Sequence, residues 1–75
     1  LHIISINTKI HDLIKEYPEI KDIMKSLGFD NILNPIMLNT VGKVMTLKTG
    51  SEMKKIDMEV IRNKFLENNF QLEEK

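Results

Sequence analysis

Few residues of this chain are equipped for chemistry. It has two imidazoles, His2 and His11, and no cysteine. That removes thiol nucleophiles, disulfides and any cysteine-ligated zinc site. His11 and Asp12 are the types of a base and its orienting carboxylate, but neighbours on a helix project about 100° apart, so the pair is not expected to form. Asp12 and Glu16 stand at i and i+4 and could offer two carboxylates to a hard cation. Two carboxylates make a poor site, and with Lys9 and Lys15 beside them these residues read as the wet face of a helix. Lys48-Thr49-Gly50 matches one fragment of a serine-hydrolase signature, and neither its Ser-x-x-Lys nucleophile nor its Ser-Asp-Asn companion is expected to accompany it. Gly42-Lys43 lacks the earlier glycine and the following Ser/Thr of a phosphate-binding loop. Of five methionines, Met24, Met37, Met45 and Met58 fall on apolar stripes, where a flexible thioether fills a core. No catalytic residue, metal ligand or cofactor-binding residue is assigned.

The most specific stretch is Asn34-Pro35-Ile36-Met37-Leu38-Asn39-Thr40-Val41-Gly42. Asn34 before Pro35 reads as an N-cap and first helical residue, since the proline gives up an N–H that has no helical partner. Asn39-Thr40 offers a second cap before Val41. The apolar Ile36, Met37 and Leu38 between them are expected to form a single turn plugged into a core. A ligand-binding reading makes Asn34, Asn39, Thr40 and Gly42 the lining of a small pocket.

The elements around this stretch follow from hydrophobic spacing. His2-Ile3-Ile4-Ser5-Ile6 is β-branched enough for a short strand or arm, and Asn7-Thr8 is expected to cap the next helix. Ile10, Leu13, Ile14 and Tyr17 repeat at i, i+3, i+4 and i+7, as do Ile20, Ile23, Met24 and Leu27. Pro18 separates the two helices, and Gly28 is the expected left-handed C-cap. Asp30 caps a turn through Ile32 and Leu33. Val41, Val44 and Met45 continue an apolar stripe, and Thr46 caps Leu47 onward, with Gly50 costing a helix there about 1 kcal/mol. Asp57 caps a last helix whose buried face is Met58, Ile61 and Phe65, widened by Val60 and Leu66. Asn69 supplies its left-handed end. Phe70 and Leu72 alternate, so the C-terminal end is positioned to pair with the N-terminal arm.

The expected fold is all-α: a bundle of about five short helices, with a short N-terminal strand or arm against the C-terminal end. It forms one domain over residues 1–75, with its core in 6–70 and a polar tail in 71–75. Eleven basic and eleven acidic residues balance, so no net field favours nucleic acid or an anionic membrane. Locally, Lys43, Lys48, Lys54 and Lys55 face only Glu52. No run reaches the roughly 18 apolar residues of a membrane span, and a cytoplasmic setting is expected. The chain opens with Leu, as a piece of a longer polypeptide would.

Three runs carry a resemblance: His11 to Glu19, then Leu27-Gly28-Phe29, then Asn34-Pro35-x-Met37-x-Asn39-Thr40-Val41-Gly42. Over about residues 6–70 the chain resembles the small helical domains catalogued as domain of unknown function 1858, related to the N-terminal domain of iron–sulfur cluster repair proteins. The third run is similar to a branch that often precedes a hemerythrin-like and PAS-containing region. The resemblance implies a helical bundle in an accessory role. Other branches carry Cys-x-x-Cys where this chain has Phe29 to Pro35, so no redox residue carries over.

These observations favour a non-catalytic domain that docks on a protein partner or a second copy of itself, a homodimer being the simplest form. Ile3, Ile4, Ile32, Leu38 and Phe70 are the apolar residues expected to remain partly exposed for that purpose. The alternative is a small-ligand sensor using Asn34, Asn39, Thr40 and Gly42.

Overall fold

A computed structural model describes residues 1–74. Strand β1 (His2–Ser5) is followed by helices α1 (Ile10–Glu16) and α2 (Ile20–Ser26) and a 3-10 turn (Asn31–Leu33). Helix α3 (Pro35–Thr40), a second 3-10 turn (Val41–Lys43), α4 (Leu47–Lys54), α5 (Met58–Glu67) and strand β2 (Phe70–Glu73) complete the order. The architecture is mostly helical rather than all-α, because the first and last segments form a two-stranded parallel sheet. Its register pairs His2 with Phe70 and Ser5 with Glu73. A parallel pair cannot be closed by a hairpin, so the whole helical part of the chain serves as its crossover.

The core gathers a buried face from most elements, whereas α3 gives it only the half-buried Leu38. Ile10, Leu13 and Ile14 of α1 meet Ile20, Ile23 and Met24 of α2 around the Pro18 corner. Leu47, Ile61, Phe65 and Phe70 are essentially inaccessible. An aromatic ladder ties the strands to the helices: the Phe70 ring lies 5.2 Å from Tyr17 and 6.2 Å from Phe65, edge to face in both cases. The His2 ring lies 4.8 Å from Tyr17. Such pairs add about 0.5–1.5 kcal/mol beyond area burial.

Helix ends explain the chain's punctuation. Gly28, at φ +95°, ends α2, with its N–H donating to Lys25 O and that of Phe29 to Met24 O. This double closure turns Phe29 back into the core. Asn34 Oδ1 accepts from Ile36 N at 2.9 Å and Asp57 Oδ1 from Glu59 N at 2.9 Å, as their cap positions predict. Thr46 and Thr49 form a reciprocal capping box at the start of α4. Lys55 at φ 54° and Asn69 at φ 72° take the left-handed positions after α4 and α5.

Several expectations are corrected. Asn7-Thr8 does not cap α1; the N-cap is Lys9, without a side-chain bond, and Asn7 reaches across to the Glu74 carbonyl instead. Asp30 makes no side-chain cap. Helix α3 continues through Asn39-Thr40, and Thr40 Oγ1 donates back to Ile36 O at 2.9 Å rather than capping. Nor is α3 a plug: none of its residues is fully buried and Ile36 is 74% exposed. Three consecutive apolar residues on a helix point three ways, so only part of that run can face inward. Val44, Val60 and Leu66 also lie outside the buried stripes. The core extends beyond residues 6–70 to Ile4 and Leu72, and most of the expected polar tail is β2; Lys75 lies outside the described residues.

Candidate functional site

The site begins with a glycine in a helix. Helix α4 runs through Gly50 although glycine disfavours helices, because the Thr46–Thr49 box holds its first turn. The missing side chain leaves room for Phe29: a Cβ on Gly50 would stand 3.1 Å from Phe29 Cε1 and 3.5 Å from Met45 Sδ. Phe29 is delivered there by the Gly28 closure. Gly50, Phe29, Met45 and Ile32 thus make a buried floor.

Above that floor opens a cleft of about 400 Å³. Met37 and Val41 form one wall from α3 and the turn after it, and Met53 and Lys54 form the other from α4. Asn31 closes one end. Met37 is 38% exposed and Met53 70% exposed, so both side chains are open to solvent where they line the cleft. Lys54 is the one charged residue lining the cleft, and no salt bridge engages it among the described residues. The surroundings are apolar, adaptable and marked by one cation.

None of Asn34, Asn39, Thr40 and Gly42 lines this cleft. Asn34 and Thr40 spend their side-chain oxygens on α3 itself. Asn39 is exposed, and Gly42 is buried close to Leu38 and the backbone of His11. The same stretch contributes Met37 and Val41 instead. Of the five apolar residues expected to stay partly exposed, Ile3 (57%) does so and Leu38 is half-buried. Ile4, Ile32 and Phe70 are corrected to core, at 6%, 6% and 1% exposure. Ile4 and Phe70 lie on the sheet face that packs on the helices, and Ile32 is turned inward by the 3-10 turn. Met37 is corrected from core filler to a partly exposed cleft wall, and Met53 and Lys54, assigned to no site from the sequence, line the cleft with it. The run of lysines near Met53 was visible in the sequence, but the juxtaposition of Met37 with Met53 needs the fold.

His11 Nδ1 and Asp12 Oδ1 do approach, at 3.4 Å, because their side chains lean toward each other across the helix surface. That is long for a hydrogen bond, and the Asp12 side chain is 64% exposed. Against the expectation that the hydrolase fragment has no Ser-x-x-Lys companion, Ser51 and Lys54 stand at that spacing. Ser51 Oγ donates to Lys48 O at 2.7 Å and lines a depression other than the one holding Lys54. No group of three or more His, Cys, Asp or Glu residues is arranged to hold a metal among the described residues.

These features define a small helical domain closed by a parallel strand pair and opened by one apolar cleft. The chain belongs to the family described as Domain of unknown function (DUF1858), whose model matches residues 4–61. It is similar to the crystal structure of the conserved domain protein from Streptococcus pneumoniae TIGR4, with 30% sequence identity and a TM-score of 0.90. That match covers 97% of this chain and 92% of the other. No curated protein matches the chain. Among the described residues no helix is long and apolar enough to cross a membrane.

Proposed function

We propose that this domain is a non-catalytic docking module that seats a segment of another polypeptide in the cleft between α3 and α4. The observation that carries the reading is the pair of exposed methionines, Met37 and Met53, lining a cleft with a buried apolar floor. Methionine-rich grooves re-pack around apolar side chains at little cost, which suits recognition of a protein segment. The resemblance to domains that often precede a hemerythrin-like and PAS-containing region supports an accessory docking role, with a cytoplasmic setting as part of the proposal. A pocket of free Asn and Thr side chains, which a sensor at Asn34–Gly42 requires, has lost two of its members to α3.

Native mass spectrometry of the purified protein at low micromolar concentration tests the reading. A species carrying an additional polypeptide mass is expected, reduced to monomer by Met37→Glu/Met53→Glu with the circular dichroism spectrum unchanged. An assembly indifferent to both substitutions overturns the reading. So does a monomer carrying a reproducible small-molecule mass.

A further inference from the structure

The five methionines divide by depth. Met24 and Met45 are buried, and Met58 is half-buried. Met37 and Met53 are the two that stand open to solvent, and both line the apolar cleft. Cysteine and methionine are the side chains that mild oxidants convert in steps, and this chain has no cysteine to compete. The oxidisable side chains that solvent reaches most freely are thus gathered at one place. Apart from Asn31 and Lys54, the side chains lining that place are apolar.

Resting on the docking reading above, we infer that Met37 and Met53 are sites of reversible oxidation, and that their sulfoxides close the cleft to a partner. The oxidant is a peroxide. A thioether lone pair attacks one peroxide oxygen, the O–O bond breaks and an S–O bond forms. The sulfur gives up two electrons and the peroxide gains them. The departing hydroxide takes the proton of the sulfur-bound oxygen and leaves as water. In the empty cleft the new oxygen is hydrated, because both side chains are open to solvent, and the fold is little affected. Beneath a seated apolar segment it loses that water. Burying a polar group without a partner is unfavourable, so oxidation disfavours the occupied cleft and spares the folded chain. Met45, on the floor, and Met24, in the core, are shielded. Reductases specific for each sulfoxide epimer return the thioether.

The test treats the purified protein with hydrogen peroxide and follows it by peptide mass mapping and native mass spectrometry. Added oxygen is expected at Met53 and Met37 before Met58, Met45 or Met24. With both sites oxidised, the dissociation constant of the assembly is expected to rise at least about tenfold, the shift that one unpaired buried polar group brings, with the circular dichroism spectrum unchanged. The two methionine sulfoxide reductases with dithiothreitol restore the assembly. Met37→Leu/Met53→Leu, which keeps apolar volume, stays assembled in peroxide. The reductase arm uses the wild-type chain, so it decides even where the Leu pair weakens assembly. Oxygen arriving first at another methionine overturns the inference. So does an assembly unchanged with both sites oxidised, one that the reductases fail to restore, or a Leu variant that peroxide dissociates as readily as wild type. The docking reading fails separately, before any oxidant is added, when Met37→Glu/Met53→Glu leaves the assembly intact. An untreated wild-type chain that is monomeric removes the docking reading and this inference together.

Discussion

Gly50 shows how one absent side chain shapes the molecule. Its position in α4 costs helix propensity, yet the bare Cα lets the Phe29 ring approach α4 and floor the cleft without a tight contact. Gly50→Val is expected to lower stability by about 1–3 kcal/mol through overpacking, read as a reduced urea midpoint with an unchanged slope. The cost of a glycine was legible in the sequence; its benefit was not, because Phe29 is distant along the chain. Tyr17 supplies a pH signature. Partial burial first, then the charge of Glu16 and a hydrogen bond with it, and then the charge of Glu19, raise its pKa above the ordinary value of 10.0. A phenol whose pKa is raised on folding is bound more tightly to its proton in the native state. Its contribution is therefore complete below about pH 10 and is lost as pH rises through the folded value. Tyr17→Phe is expected to shallow the fall in stability above pH 10, measured by urea melts from pH 8 to 11.

Among the elements, the helices were the readable part. Matching i, i+3, i+4, i+7 stripes marked α1 and α2, and the caps at Asn34, Thr46, Asp57 and Gly28 all stand where residue type placed them. These signals are local, each closed within one turn of chain. The strand pair was half readable: alternation at Phe70 and Leu72 announced a strand, but register depends on how the intervening helices stack. The same gap explains why Ile4 and Phe70 were expected at the surface and proved to be core. Neighbouring residues of β1 now separate the cases. Ile4→Ala is expected to cost about 2–5 kcal/mol, whereas Ile3→Ala, on the opposite face, should stay within about 0.5 kcal/mol. Chemical denaturation of the two variants measures this, and equal small effects would mean that β1 does not pack as described.

As a whole, the molecule has a radius of gyration of 10.9 Å, close to the roughly 11 Å of a compact domain of this length. So small a domain buries only about 60–65% of its unfolded surface, which makes any further burial on association consequential. The melting temperature is expected to rise with protein concentration across the micromolar range, since association with the native state alone adds to stability by mass action. Differential scanning fluorimetry at several concentrations reads it, and the cleft variant should be flat. The candidate site was the least legible feature because it belongs to no segment: Phe29, Met37 and Met53 come from three separate stretches and meet only in the folded chain.

The parallel register carries one more consequence. With His2 beside Phe70 and Ser5 beside Glu73, the chain enters at one end of the strand pair and leaves at the other. Tension applied through the two ends therefore loads the rungs together, in shear, where an antiparallel pair entered and left at the same end would unzip one rung at a time. Rupture under force is governed by the unfolding rate rather than by equilibrium stability. The parallel pair is in this way a clasp whose rungs must yield together when the two strands are drawn apart along their length.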